Sequence, residues 1–415
     1  MKKLVSLVLL SVLSFTVIFA QSGRLEIFSW WTGGGEEAAL LATIKDFNSL
    51  YPNIEVINAT VAGGAGTNAK AVLKTRMLGG NPPDTFQVHA GWELTDTYVI
   101  PGLMEPLTDA LILWGVYDKF PSGLIDIVSY NGEVYSIPLT VHRSNVIFYN
   151  KKLFKEIGLT KEPETWQEFI DALNKAKAAG YIPLAMGDKE KWEAGQIVEN
   201  LMVAEFGSQD YNALFNGELS FNDKRLDNAL QKMVQLMDYV NVDHAALAWQ
   251  EAARLLYDNK AVFNLMGDWA EGYFKELGWK PGEDFGWFEL PGTQTVFVLI
   301  SDTFGLPKKA PHRENALIFL EYLASKRAQE IFNPIKGSIP ARIDADPGDD
   351  PYLIETAEDF RKLAISPSIV HGSAAPEAFV TSFNDAVNAL VTTKNISQAK
   401  RMILWAAEDV GLLTD

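Results

Sequence analysis

From Arg24 to His89 the chain alternates strand, helix, strand, helix, strand, and this order constrains the fold more than any other feature. Arg24-Leu-Glu-Ile-Phe-Ser-Trp-Trp31 has the two-residue period of a strand, with Leu25 and Ile27 on one face, and it breaks at Thr32-Gly-Gly-Gly35. Leu40, Ile44, Phe47 and Tyr51 then recur at helical spacing until Pro52 ends the run. Extended Ile54-Glu-Val56 follows. Gly63-Gly-Ala-Gly66 leads into a second helix capped by Thr67, with Leu73 and Met77 inside it and Gly79-Gly80 closing it. Pro82-Pro83 precedes a short strand, Asp84 to Val88, that runs into His89. A βαβαβ order builds a parallel sheet whose loops gather at the strands' carboxyl ends, where open α/β sheets bind ligands. Trp30, Trp31, Gln87 and His89 are thereby expected on one rim. Either tryptophan alone fits a core position as well as a ligand site, but two at a strand end before three glycines are harder to explain as packing.

The 415 residues exceed the size at which a single core stops growing, so two domains are expected. No low-complexity linker separates them, which implies that the chain crosses between domains more than once. Composition is that of a globular protein, 47% hydrophobic and 21% charged. A net charge of −17 argues against nucleic acid or an anionic membrane surface as partner. Residues 1–20 carry Lys2 and Lys3, an apolar run from Leu4 to Phe19 and a small Ala20 before polar Gln21-Ser-Gly23, the pattern of a cleavable signal peptide. Ile18 is a poor match to the small residue usual two before the cut, so the cleavage position stays open. There is no cysteine, which excludes disulfide staples and a lipid-modified cysteine after the signal. A periplasmic protein without a lipid anchor is expected.

Further along, Tyr130 to Pro138 reads as a hairpin turned at Asn131-Gly132, and Val141 to Tyr149 as an extended run carrying Arg143 and Asn145. Thr165-Trp-Gln-Glu168 is a capping box opening a helix over 166–179, which makes Trp166 structural. Ile182 to Met186 reads as a strand, with Trp192 in a polar turn after it. Helices are expected over 223–240, 250–259 and 313–333, strands over 285–290 and 295–300, and three more helical patterns over 352–411, interrupted by Ser366 to Pro376.

The run from Ala261 to Met266 reads as a strand that stops at Gly267 and delivers Asp268 and Trp269 to an edge before a helix begins. A carboxylate beside a large aromatic suits a sugar: the acid accepts hydrogen bonds from hydroxyls and the indole covers the C–H face of a pyranose. The plainer reading makes Asp268 an N-cap. Five scattered histidines with no His-x-x-x-His offer no metal pattern. Gly-x-Ser-x-Gly is absent, and the glycines at 63–66 lack the Lys-Ser/Thr of a phosphate loop. A glycoside hydrolase would need two carboxylates at a set separation, for which Glu36, Glu37, Asp268 and Asp302 are the candidates, but no glycosidase architecture can be traced.

Taken together, Leu-Glu-Ile-Phe-Ser-Trp-Trp at 25–31, Lys74-Thr-Arg-Met-Leu-Gly-Gly80, Pro82-Pro-Asp-Thr-Phe-Gln-Val-His-Ala90, His142-Arg-Ser-Asn-Val146, Gly267-Asp-Trp-Ala270, Ser301-Asp302, Lys336-Gly-Ser338 and Val370-His-Gly372 resemble the bacterial extracellular solute-binding proteins of sugar ABC importers. Within these the chain looks most like the thermophile glucose/galactose-binding proteins. The resemblance implies a type II-like periplasmic binding protein fold: two discontinuous α/β lobes, a hinge crossed near 135–142, 291–301 and 340, and a ligand in the cleft. It assigns 24–138 with 300–340 to the N-terminal lobe and 139–299 with 341–415 to the other. It also implies a monosaccharide ligand, glucose or galactose, delivered to the permease subunits of an ABC transporter by a monomer that is not an enzyme and needs no cofactor or metal. By matching motif the contacts would be Trp30, Trp31, Trp249 and Trp269 with Gln87, His89, Asp302, Lys336 and His371. The early acidic contact is Glu36 or Glu37, because Gly33-Gly-Gly35 carries an extra residue. Asn264, Asp268, Arg143, Asn145 and Trp192 join this set by their position along the rim.

Overall fold

The βαβαβ segment folds as its periods require. In the computed structural model, which describes residues 22–415, strand Gly23–Ser29 pairs in parallel with Ile54–Thr60 on one side and Thr85–His89 on the other. The signal peptide expected at 1–20 lies outside the described residues. A strand from far downstream, Asp302–Gly305, then joins antiparallel to Thr85–His89, and Ser136–Pro138 completes a five-stranded sheet. The register sets Asp302 opposite His89 and Phe304 opposite Gln87. Helices Gly34–Leu50 and Thr67–Leu78 connect the parallel strands, and Arg313–Leu323 and Lys326–Lys336 pack onto the same unit.

A second sheet runs Phe285–Glu289, Val146–Asn150, Ala261–Met266, Ile182–Ala185. Around it lie helices Trp192–Phe215, Lys224–Leu236, Glu377–Thr393 and Ile396–Asp409. Between the two units a small sheet pairs Ile339–Pro340, Thr140–Arg143, Val296–Ile300 and Ala364–Pro367. The architecture is two α/β lobes with several chain crossings between them. No helix among the described residues is long and apolar enough to cross a membrane.

Three local expectations fail for physical reasons. Val141 to Tyr149 is not one strand: it breaks at Ser144-Asn145, the first half joining the connecting sheet and the second the second lobe. The carbonyl of Ser144, freed at the break, accepts from Gln196 and Asn200. Trp192 is not in a turn but opens the helical segment Trp192–Phe215, which is kinked at Gly207 (φ +68°). That helix is buried on most sides along its first half, so its polar Glu193, Gln196, Glu199 and Asn200 leave no amphipathic stripe to read. The expected helix over 313–333 divides at Ser325, whose side chain accepts from Ala328 N and caps a new helix.

The second lobe is held by an aromatic cluster. Phe263, fully buried, has Phe169 at 5.7 Å, Phe154 and Phe288 each at 6.1 Å and Tyr149 at 6.4 Å between ring centroids. Truncating a ring packed on all sides removes its transfer free energy and leaves a void. Phe263→Ala is therefore expected to destabilise the protein by about 3–5 kcal/mol. Urea unfolding followed by tryptophan fluorescence measures this, and a change below about 1 kcal/mol would show that the cluster is not packed as described.

Candidate ligand-binding cleft

The first sheet and the helices behind it place charge at the rim. Asp302 opens its strand and His89 ends the neighbouring one, so their side chains meet at the same edge. Gln87 lies behind Asp302: its Nε2 donates to Asp302 Oδ1 at 2.8 Å while its Oε1 accepts from Trp30 N at 3.2 Å. Lys336 is the last residue of helix Lys326–Lys336, which ends on a left-handed Gly337 (φ +87°). A Cβ at Gly337 would come within 2.5 Å of Gly272 N and 2.7 Å of Asp268 O, so only glycine lets the helix stop there. Lys336 Nζ lies 2.8 Å from Glu36 Oε1, 3.7 Å from Asp302 Oδ2 and 4.8 Å over the Trp31 ring. His89 Nδ1 donates to Glu93 Oε2 at 2.7 Å, and Lys70 Nζ sits at the same distance from that oxygen.

The second lobe supplies three tryptophans, and Trp192, Trp249 and Trp269 are each the first residue of a helix. Trp269 stands 6.0 Å from Trp192, 6.5 Å from Trp249 and 5.1 Å from His371 between ring centroids. Its indole lies directly over Gly267, where a Cβ would come within 2.2 Å of the ring. The Gly-Asp-Trp order thus has a steric cause: the glycine clears space for the ring two residues on.

These groups enclose one cavity, ≈ 350 Å³ of unfilled space counting its mouth, which spans both lobes. Trp30, Glu36, His89, Trp192, Trp249, Trp269, Asp302, Lys336 and His371 line it, as do His142, Ala65 and Ile300, which the sequence did not single out. His142 could have been found from its place in the strand ahead of Arg143. Ala65 is brought in by the Gly63–Gly66 loop, in which Ala65 itself takes φ +48°. A larger apolar groove lies behind the connecting sheet, lined by Leu124, Ile339, Phe360 and Ile365, and holds none of the candidate residues.

Several expected contacts lie elsewhere. Trp31 is fully buried between Phe304 and Phe332, beneath Lys336 rather than at the cavity. Arg143 is ion-paired with Asp359 at 2.6 Å and Glu289 at 3.1 Å, facing away from the cleft. Asn145 ties Thr293 and Val296 into the second lobe, and Asn264 donates to the Ala185 carbonyl. Arg143 and Asn264 sit on buried strands with their side chains turned from the cleft, a two-residue parity that rim position alone cannot fix, whereas Trp31 and Asn145 lie just outside strands, where no alternation applies. Asp268 is neither ligand-facing nor a side-chain cap: it grips His142 Nδ1 and accepts from Arg143 N at 2.9 Å. Glu36, not Glu37, lines the cavity.

The electrostatics follow from burial and pairing. Burial alone would raise the Asp302 carboxyl, yet Lys336, with the rings of His142 and His89, holds it far below the usual carboxylate range. Burial likewise opposes the charge on Lys336, but Glu36 and Asp302 raise its pKa. For His142 burial works against protonation and the Asp268 carboxylate outweighs it, so its pKa rises. For His371 burial, then His89 and Lys70, outweigh the pull of Asp302 and push it well below the ordinary value, which keeps the ring neutral. Among the described residues the only close group of potential metal-ligating side chains is Glu289, Glu355 and Asp359, outside the cleft, where Arg143 already supplies a cation.

The lobes touch around the cavity. Gly64 N donates to Glu190 Oε2 at 2.7 Å, Glu93 N to Gly372 O at 2.8 Å and Ser373 Oγ to Ala90 O at 2.9 Å. A cavity walled by both lobes, with aromatic faces on one side and fixed charges on the other, is built to enclose a small polar molecule. Comparison with known proteins agrees: residues 32–330 match the family described as bacterial extracellular solute-binding protein. The chain belongs to that family. It is 42% identical to an uncharacterized ABC transporter extracellular-binding protein of Pyrococcus horikoshii, covering 93% of this chain and 88% of that one. It is 30% identical to a probable sugar-binding periplasmic protein of Mesorhizobium japonicum over 98% and 99% of the two. Among solved structures it is similar to the bacterial solute receptor AcbH, described as having an exclusive substrate preference for β-D-galactopyranose (TM-score 0.81, 20% identity, 94% and 98% covered), and to a chitin oligosaccharide binding protein (TM-score 0.81, 20% identity, 93% and 98% covered). At these identities the structural likenesses establish the two-lobe fold alone.

Lys336 is the cation on which both Asp302 and Glu36 depend. Lys336→Met is expected to destabilise the protein by about 3–5 kcal/mol, the range for leaving a buried charge unpartnered. The depressed Asp302 pKa contributes stability that is present above the unfolded-state value, about 3.9, and is lost only as pH falls through the lower folded value. Without Lys336 that loss should begin at higher pH. Thermal unfolding as a function of pH reads both effects, and an unchanged melting curve in mild acid would contradict the assignment.

Proposed function

We propose that the protein is the periplasmic sugar-binding component of an ABC importer, and that its ligand is a monosaccharide, glucose or galactose. The observation carrying this is the cavity itself. It is a single small space between the lobes, with aromatic and hydrogen-bonding side chains around it. Trp30, Trp192, Trp249 and Trp269 supply apolar faces for a pyranose, while Asp302, Glu36, Lys336, His89, His142 and His371 supply hydrogen-bonding groups for its hydroxyls. The names of relatives described as sugar-binding support the same reading. In this account lobe 24–138 with 300–340 closes on lobe 139–299 with 341–415, and the closed monomer is what the permease receives.

Binding without chemistry is favoured over glycoside hydrolysis by the state of the carboxylates. Hydrolysis needs one carboxyl group kept protonated as an acid. The carboxyl groups lining the cavity are Glu36 and Asp302, both gathered on Lys336, and Asp302 is held ionised. Fixed charges of this kind discriminate among hydroxyls. Losing one charge-assisted hydrogen bond, about 1.5–3 kcal/mol, weakens an epimer about tenfold to a hundredfold.

Trp269 packs against Trp192, Trp249 and His371, so it is the ring whose removal opens the site most. Trp269→Ala should lower affinity for glucose or galactose by at least about 30-fold, a loss of about 2 kcal/mol or more, with the fold retained by circular dichroism. Near wild-type affinity in calorimetry would sink the assignment. Release of products from di- or oligosaccharides would replace the binding reading with an enzymatic one, and saturable binding confined to oligosaccharides would replace the monosaccharide.

A further inference from the structure

Most polar groups lining the cavity are held by a charge, but His371 is held by a relay. Glu199, in helix Trp192–Phe215, is fully buried and does not reach the cavity. Its Oε2 accepts from Ile369 N at 2.7 Å and Val370 N at 3.0 Å, and Ser368 Oγ lies 2.9 Å from Oε1 and 3.1 Å from Oε2. Ser144 Oγ is 3.5 Å from Oε1. On its other side, Ser368 Oγ accepts from His371 N at 3.3 Å and lies 3.0 Å from His371 Nδ1. The ring's Nε2, opposite, has no hydrogen-bond partner among the described residues, and His371 lines the cavity.

A serine hydroxyl has one proton, so its direction is set by its neighbours. When Glu199 is ionised it can only accept. Ser368 then gives its proton to Glu199, and its oxygen must accept from His371 Nδ1–H, leaving the Nε2 lone pair toward the cavity. When Glu199 is protonated, its O–H donates to Ser368, the serine proton turns to His371 Nδ1, and the neutral ring carries its proton on Nε2. In balance, the carboxylate gains one proton from solvent, and the ring loses one at Nδ1 and gains one at Nε2 with no change of charge.

We propose that Glu199, acting through the Ser368 hydroxyl, sets which nitrogen of His371 bears the proton, and so whether that ring accepts from or donates to a ligand hydroxyl. The proposal rests on the sugar-site reading for its functional consequence but not for the relay itself. Glu199 is a positioning residue. Burial, opposed by the Val370 and Ile369 amides and by Ser368, pushes it up to about 7, so both relay states are within reach near neutrality. Apart from those donors it faces the hydroxyls of Ser144 and Tyr211. The charged and titratable groups facing His371 are His89, Lys70, Asp302 and His142. They bear on the ring's charge, whereas the hydrogen-bond partner of Nδ1 is Ser368.

The test is nitrogen NMR of histidine-labelled, sugar-free protein, in which the two neutral tautomers have distinct ring signals. In wild type the His371 signal should pass from the Nδ1–H form at mildly alkaline pH toward the Nε2–H form as pH falls through neutrality. Glu199→Gln should hold the Nε2–H form throughout, because the carboxamide oxygen accepts from Ile369 and Val370 and its NH₂ donates to Ser368. Ser368→Ala should remove the pH dependence. One tautomer shared by wild type at every pH and by Glu199→Gln would overturn the relay, and the wild-type titration decides alone if the variant does not fold. Calorimetry of wild type and Glu199→Gln with glucose and its single-deoxy analogues separates the two claims. A changed ranking of the analogues joins relay to recognition, whereas absence of any sugar binding defeats the sugar reading and leaves the NMR result standing.

Discussion

The structure depends on a buried carboxylate that three separate parts of the chain converge to satisfy. Asp302 stands at the start of the strand that returns to the first sheet, and it would be untenable there alone. Gln87 from the neighbouring strand, Lys336 from a helix end and His142 from the connecting sheet lie around it, and Glu36 balances the lysine. Buried ion pairs are a poor source of stability, since desolvation offsets most of their attraction. What this one supplies is geometry. Fixed charges at the floor of a cavity can read hydroxyl positions without having to reorganise, and in the proposed function they leave the aromatic wall to recognise the sugar body.

The wall and the floor come from different lobes, and this makes enclosure a property of the fold. Trp192, Trp249 and Trp269 are carried at helix starts in the second lobe, while Asp302, His89 and Glu36 sit on the first. A ligand touching both sides has differential affinity for the closed arrangement, which is the condition for it to shift the open–closed balance. The contacts at the rim, Gly64 to Glu190 and Glu93 to Gly372, are single hydrogen bonds, worth about 1.5–3 kcal/mol for the first, to a carboxylate, and about 1 kcal/mol for the second. They suit a closure that a ligand decides.

Much of this was legible in the residue pattern. The βαβαβ order fixed the first sheet, and the strand ending in Gly267-Asp-Trp269 fixed the most informative ring. Side-chain parity was not legible. Arg143 and Asn145 flank the point at Ser144 where the segment changes sheets, and position along the rim, on which both were included, does not say which way either side chain turns. Trp30 and Trp31 show the same limit: both follow the strand that ends at Ser29, and only Trp30 meets the cavity. Trp192 was placed on the rim but in the wrong element, because a helix buried on most sides has no polar face to announce it. Asp268 could be seen to matter but not how, since its partner His142 is 126 residues away.

The central claim is that the two lobes close around one small sugar. Native mass spectrometry of the purified protein, titrated in turn with glucose, galactose, maltose and a trisaccharide, tests it most directly. The account predicts a complex of one chain with one hexose, saturating without loss of mass from the sugar. A chain that stays bare with both hexoses while retaining only the longer sugars, or that returns cleaved products, would contradict it.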